Sequence, residues 1–534
     1  MKRIPPYLHA FPALMRRTVL AGLLLVLAAG CVRDRLVEEL PPAPVQPEQV
    51  EVKLHLRASR PASPTRAMTP EQESGIKDVY VFFLNKADDR VYTVAKGRNV
   101  VQTTGATDQW TFTVSLTVNT GTIASFDCLV LANVEGWMQG KNPADFNGKN
   151  YDELQKVLVS DELSASALPG SVPEAGLVMW GKALTPVSVP TSGTPNITVP
   201  VIRAVASVEV GVGKGPEAGT LDTWPGWDGN DASKKNIPFV LKSVYVYRPN
   251  NRYAFMPLAT VYDAGQRKVT APSPAGASAA ITTPFVYSLS AGAYGIRREI
   301  YLPEADVKQL VSGSAEHTGK PGDAGHKERC ALVVCGSYNG HADSYYRIDF
   351  NDNNASDRSL IDLLRNHRYY VSITSVQGDG ENSPQEAYES LRVNMGVEIT
   401  GWTDSFQDVA FDGTDWMYAQ KKNITLPGNE GQTGIIAMES TIDPAEWEMN
   451  FDGGTTYTKN PSIENTDFRV TKPTAATGGS LEIRTLRSMA EADPDRTSTL
   501  TIKAKRLTFK IKITQISDKP ANWEQEGGDF NQDF

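Results

Sequence analysis

A chain of 534 residues exceeds several-fold the ~100 to 150 of a typical domain, which favours two to four domains over a single core. Hydrophobic residues make up 40% and charged residues 22% of it, near the globular average, and this excludes wholesale disorder, a collagen-like fibre and a polytopic membrane protein. The formal net charge is -9, and residues 1–30 hold Lys2, Arg3, Arg16 and Arg17 with no acid, so their removal lowers it by four to -13. A chain this acidic, with no basic stripe interleaved with aromatics, is not expected to bind nucleic acid.

Met15-Arg16-Arg17 opens onto a 12-residue apolar or small run, Thr18 to Ala29, too short to span a bilayer as a helix and typical of a signal peptide. Translation starting at Met15 would remove an atypical leader. The run ends in Leu27-Ala28-Ala29-Gly30-Cys31, which resembles the bacterial lipobox, whose cysteine is lipidated and becomes the first residue. This implies a lipoprotein with palmitate on Cys31 and an outer-membrane anchor. Residues 31–49 are Pro-rich and polar, as suits a tether. The other cysteines, Cys128, Cys330 and Cys335, make no disulfide framework; Cys330 and Cys335 bracket a strand-like run at odd spacing, on opposite faces.

Downstream the dominant signal is period two. Val52, Leu54 and Leu56 alternate with charge; Trp110, Phe112, Val114, Leu116 and Val118 alternate with polar residues; Leu507, Phe509, Ile511 and Ile513 do so again. These read as half-buried strands. Nearly continuous β-rich runs (Val79 to Leu84, Phe126 to Val134, Phe239 to Tyr247, Tyr369 to Val376) read as inner strands. Helical pattern is confined to Tyr151 to Leu158 and Ser356 to Asn366. The expected fold is all-β, or mostly β, in tandem β-sandwich domains. Its expected segments are a signal peptide (1–30), a tether (31–49), sandwiches over 50–195, 196–405 and 415–517, and an acidic tail (518–534).

Catalytic constellations are not found: there is no HExxH, GxSxG or paired CxxC. Gly176 to Ala183 has the spacing of a phosphate-binding loop, but bulky Leu177 to Trp180 stand where the loop must curl and Ala183 replaces the magnesium-binding hydroxyl, so it reads as a strand. Asp349 to Asp357 is rich in oxygen ligands, yet Asn354 and Leu360 stand where an EF-hand needs Gly and Glu; it reads as a solvated turn, and no metal or cofactor is expected. His367, just before a strand, reads as a hydrogen-bonded structural residue. Trp224 and Trp227, in a Pro/Gly/Asp-rich stretch, could offer flat faces to a sugar or a partner protein; the more ordinary use is as a cap over a sheet edge.

The order of pieces carries a resemblance. A lipobox, a strand, SPTRAMTPE, IKDVYVFFLN, FDCLVLANV, YDELQKVL, LVMWGKAL and VPVIRAVASVEV, then FVLKSVYVYRPN, ALVVCGSYNG, SYYRIDF, LLRNHRYYVSI and VNMGVEITGW, is similar to the Bacteroidales fimbrillin family over roughly residues 50 to 403. The remainder, closing on KIKITQ, resembles the immunoglobulin-like modules of surface proteins from such bacteria, in which Trp447 would be a core residue. The resemblance implies two fimbrillin-like sandwiches followed by one immunoglobulin-like sandwich, and a fimbrial subunit without enzymatic activity, located at the outer membrane, cell surface and fimbrium. In the family the lipid and first strand are removed by an Arg-specific protease and the groove receives a strand from another subunit. Arg66, Arg60 and Arg57 are then the candidate cleavage points, with Arg66 preferred for its extended surroundings. An accessory or terminal position follows from the added third module, and a host or glycan ligand would be a further partner. The alternative is a lipid-anchored glycan-binding protein of a nutrient-uptake system, with Trp224 and Trp227 at its site.

Overall fold

The computed structural model describes residues 47–58, 70–104, 109–119, 124–164, 169–170, 175–183, 185–189, 194–213, 237–258, 261–263, 268–270, 281–289, 295–305, 307, 325–351, 360–390, 394–403, 409–411, 415–419, 421–452, 454, 456–474, 478–490, 493–505 and 507–517. The chain divides into a unit of residues 1–48 and 117–122 and a unit of residues 49–116 and 123–534. In the first, the described residues form the ends of two strands; all other described residues belong to the second.

The first block is one sheet of β1 (Pro47–Ala58), β2 (Val79–Asn85), β3 (Arg90–Lys96), β4 (Arg98–Gln102), β5 (Gln109–Asn119), β6 (Ala124–Ala132), β7 (Met179–Lys182), β8 (Val187–Val189) and β9 (Asn196–Arg203). Its order is β3-β2-β6-β7-β9-β1-β5-β4, with β8 on β6. The two end strands, β3 and β4, are consecutive in the chain and joined by Gly97 alone. A Cβ on Gly97 would stand 2.8 Å from Phe112 Cδ2 and 3.2 Å from Val79 Cβ, so the missing side chain is what lets β5 close over β2. One face of the sheet (Tyr80, Phe82, Leu129, Leu131, Trp180, Ile202) is covered by Met138, Phe146, Leu154, Phe255 and Met256. Leu154 belongs to the expected helix, Tyr151–Val157. It starts on a capping box in which Asn150 Oδ1 accepts from Glu153 N at 2.9 Å and Glu153 Oε2 from Asn150 N at 2.8 Å. The glycine-bearing run ending in Lys182 is strand β7, as its bulky residues require.

The second block comprises β10 (Ala206–Val212), β11 (Phe239–Tyr247), β12 (Val261–Asp263), β13 (Lys268–Thr270), β14 (Phe285–Ser288), β15 (Gly295–Leu302), β16 (Ala331–Tyr338), β17 (Asp343–Ile348), β18 (His367–Val376) and β19 (Met395–Thr403). Sheets β15-β10-β18-β19 and β14-β11-β16-β17 share one core, Val208, Val210, Ile300 and Val371 meeting Val244, Val246, Leu332 and Val334. The sequence boundary at 195/196 would give β9 to this block, but β9 pairs with β1 and β7. The chain changes sheets at Ala204-Val205, inside a continuously buried stretch that includes Arg203, whereas the Gly/Pro punctuation precedes β9. The helix expected over Ser356 to Asn366 is not formed in its described part. Leu360 bridges Asn351, and Leu363 bridges Ala305 with both main-chain bonds at 3.0 Å. Leu360 and Leu363 are 0% exposed; their spacing of three imitates one helical face while serving an extended segment.

The third block comprises β20 (Val409–Phe411), β21 (Trp416–Ala419), β22 (Asn423–Pro427), β23 (Thr433–Ser440), β24 (Glu448–Phe451), β25 (Ser462–Glu464), β26 (Phe468–Thr471), β27 (Gly478–Thr485), β28 (Arg496–Ala504) and β29 (Leu507–Ile516). It opens at β20, before residue 415, because Val409 to Phe411 pairs with β21. Sheets β20-β21-β23-β27-β26-β25 and β22-β29-β28-β24 enclose Trp447, Leu481, Leu500, Phe509 and Ile511. Cys128, Cys330 and Cys335 are buried and free. Burial pushes the Cys330 thiol up to about 12, which suits core thiols. Among the described residues no helix is long and apolar enough to cross a membrane.

Candidate functional site

β1 lies between β9 and β5. It runs parallel to β9, with Leu54 opposite Ile197, Leu56 opposite Val199 and Ala58 opposite Val201. Val52, Leu54 and Leu56 are 0% and Ala58 1% exposed, while Glu51 and Lys53 on the alternate positions face solvent. The walls of the slot are equally apolar: Val199 and Val201 on β9, Phe112, Val114 and Leu116 on β5, all buried. Burying side chains of this kind stabilises by roughly 1.5–3 kcal/mol each, so β1 contributes on the order of a whole domain's 5–15 kcal/mol. Covalently, however, β1 is the sheet's first strand, and residues 59–69 alone connect it to the others. A single break there leaves it held by main-chain hydrogen bonds and side-chain burial.

Arg57 is half-buried near the end of β1, opposite Pro200. Cys31, Arg60, Arg66, Trp224 and Trp227 lie outside the described residues, as does most of the acidic stretch Asp349 to Asp357. His367 begins β18 and hydrogen-bonds Arg365 O through Nδ1 at 2.9 Å, the structural role expected of it. Among the described residues no group of three or more His, Cys, Asp or Glu is placed to hold a metal ion.

Immediately after the connection comes a constellation that sequence reading missed. The short helix Pro70–Ser74 buries Glu73 completely. Its carboxylate accepts from Tyr301 Oη at 2.7 Å and from Arg368 Nη2 at 3.0 and 3.3 Å, and Arg298 Nε lies 3.3 Å away. Arg203 Nε donates to Glu73 O at 3.1 Å. Arg368 also donates to Glu209 Oε1 at 2.6 Å. Burial pushes the Glu73 carboxyl up, but Arg368, Arg203 and Arg298, with the Tyr301 hydrogen bond, more than reverse this and hold it below the ordinary range. The available signal was a lone charge inside apolar runs: Arg203 in PVIRAV, Glu209 in SVEVG, Arg368 next to YYVSI. Such charges are buried only when paired.

No protein-family model and no curated protein matches the chain. Among solved structures it is similar to a candidate cell adhesion protein of Bacteroides eggerthii (15% identity, 66% of this chain and 96% of that one, TM-score 0.35). It is also similar to a fimbrial assembly protein of Parabacteroides distasonis (13%, 61% and 92%, TM-score 0.32). A third is the fimbrial anchor protein Mfa2 of Porphyromonas gingivalis (9%, 66% and 98%, TM-score 0.26). These neighbours are β-rich adhesin and fimbrial proteins of the Bacteroidales.

Proposed function

We propose that this chain is a cell-surface fimbrial subunit, accessory or terminal in position and serving adhesion, assembled by strand exchange after lipoprotein export. The observation that carries the reading is β1: an inner strand with Val52, Leu54 and Leu56 wholly buried, tied to its sheet through one connection that contains Arg60 and Arg66. Export would acylate Cys31. Cutting in the connection, at Arg66 before Arg60 or Arg57, would detach the lipid together with β1. Loss of β1 leaves two strands, β9 and β5, with unpaired main-chain groups and an apolar groove, the arrangement that an extended strand from another subunit satisfies.

The amphipathic strand β29, whose alternation would suit a donated strand, is engaged within the third block. β29 lies between β22, parallel, and β28, antiparallel, with Leu507, Phe509, Ile511 and Ile513 at most 2% exposed. A subunit that accepts a strand while β29 stays within its own sheet does not pass β29 on to a neighbour, which supports the terminal or accessory placement. The test is made on cells. Labelled palmitate is expected in the wild type and not in Cys31→Ala, and the surface-exposed protein is expected to begin between residues 58 and 67. Equal labelling of both would end the lipoprotein reading, and surface protein that always keeps Cys31 would end the maturation reading.

A further inference from the structure

Arg298, Tyr301 and Arg368 converge on a point where a carboxylate is required. Guanidinium groups this buried, 3% exposed for Arg298 and 4% for Arg368, are costly unless an anion meets them. The backbone is bent to make the point: Arg298 has φ 53°, unfavourable for a non-glycine residue. It stands where the β10–β15 ladder slips, between the pairs Val208–Ile300 and Val210–Ile296. The group supplied is Glu73, from a five-residue helix that follows the β1 connection.

Just downstream the same segment is fastened again. Asn133 Nδ2 donates to Gly75 O at 2.8 Å and Asn133 Oδ1 accepts from Lys77 N at 2.8 Å. Asp78 Oδ1 accepts from Val134 N at 2.8 Å and Glu135 N at 2.9 Å. These partners belong to β9, β15, β18 and the turn at residues 133–135, none of them to β1. We propose that Arg298, Tyr301 and Arg368 form a carboxylate seat for Glu73. Seated there, residues 73–78 stay anchored when β1 leaves, and β2 keeps its place as the slot empties. This rests on the reading of β1 as a displaceable strand.

The test is trypsin on the purified full chain. It cuts after arginine in the connection and meets Lys77 as the next basic residue. Lys77 is exposed, so what protects the Lys77–Asp78 bond is the seating of its backbone. In the wild type the core is expected to begin between residues 58 and 67 and to stay there. In Glu73→Gln the Lys77–Asp78 bond is expected to be cut at least tenfold faster. Cutting at Lys77 as fast in the wild type as in the variant would overturn the seat. Should Glu73→Gln fail to fold, amide exchange in the wild type decides: protection of residues 75–79 that survives trimming and loss of β1 supports the seat, and protection lost with β1 overturns it. If β1 stays with the trimmed core and never leaves, the displaceable-strand reading fails on its own, while protection of Lys77 still reports on the seat.

Discussion

Trp447 has no solvent contact, and its Nε1 donates to Ile442 O at 3.0 Å, so it fills the third block's core and satisfies a buried carbonyl at once. Trp447→Ala is expected to lower that block's stability by about 3–5 kcal/mol, read from urea unfolding by circular dichroism, and Trp447→Phe by less, since an aromatic ring still fills part of the space while the hydrogen bond is lost. Lys472 is 5% exposed, donating to Trp447 O and Lys459 O. Burial, then the charge of Lys459, pull its ammonium down to about 8; burial and Lys503 do the same to Lys510. A lysine with a lowered folded pKa binds fewer protons in the native state than in the unfolded one, so stability rises with pH between about 8 and the ordinary lysine value near 10.5. Unfolding free energy measured across that window is expected to climb, and Lys472→Met to flatten the climb. A slope unchanged in Lys472→Met would contradict the assignment. The core tryptophan and His367 were legible as residues because their neighbours in sequence are their neighbours in space. Glu73 was not: its partners lie 130 to 295 residues away, and one sequence shows a buried charge without showing what meets it.

At the scale of the element, period two was enough to find β1, β5 and β29, because each has one face turned to a core and one to solvent. Where β segments must switch sheets, as β9 does into β10, the residues stay buried throughout with no turn residues between them, and the boundary is invisible. Where two leucines three apart serve an extended edge, as Leu360 and Leu363 do, it misleads. The same alternation sets the cost of disturbing β1. Leu54→Ala removes a side chain that is 0% exposed and is expected to destabilise the first block by about 2–5 kcal/mol, with amide protection falling in both β1 and β9. Lys53→Ala, on the solvent side of the same strand, is expected to change stability by less than about 0.5 kcal/mol. Equal effects would mean that β1 is not held by its apolar face.

For the whole molecule, the three blocks divide the work. In the proposed assembly the first holds the strand to be displaced, the second seats the segment behind it through Arg298 and Arg368, and the third keeps β29 within its own sheet. Protein trimmed in the connection is therefore expected to remain short of filaments on its own, and immunogold labelling to mark fimbrial ends or bases; long filaments from purified protein, or even labelling along the shaft, would show that β29 is donated after all. In the proposed assembly the slot between β9 and β5 releases β1 and accepts a strand from elsewhere, and a peptide-exchange experiment measures this directly. The chain is cut after Arg66, or after another arginine of the connection, by an Arg-specific protease and incubated with an isotope-labelled peptide of residues 47–57, and the complexes are weighed by native mass spectrometry. Strand exchange requires that one labelled strand replace the resident one while the protein stays folded. A resident strand that never leaves, or a core that unfolds without accepting the peptide, would contradict it.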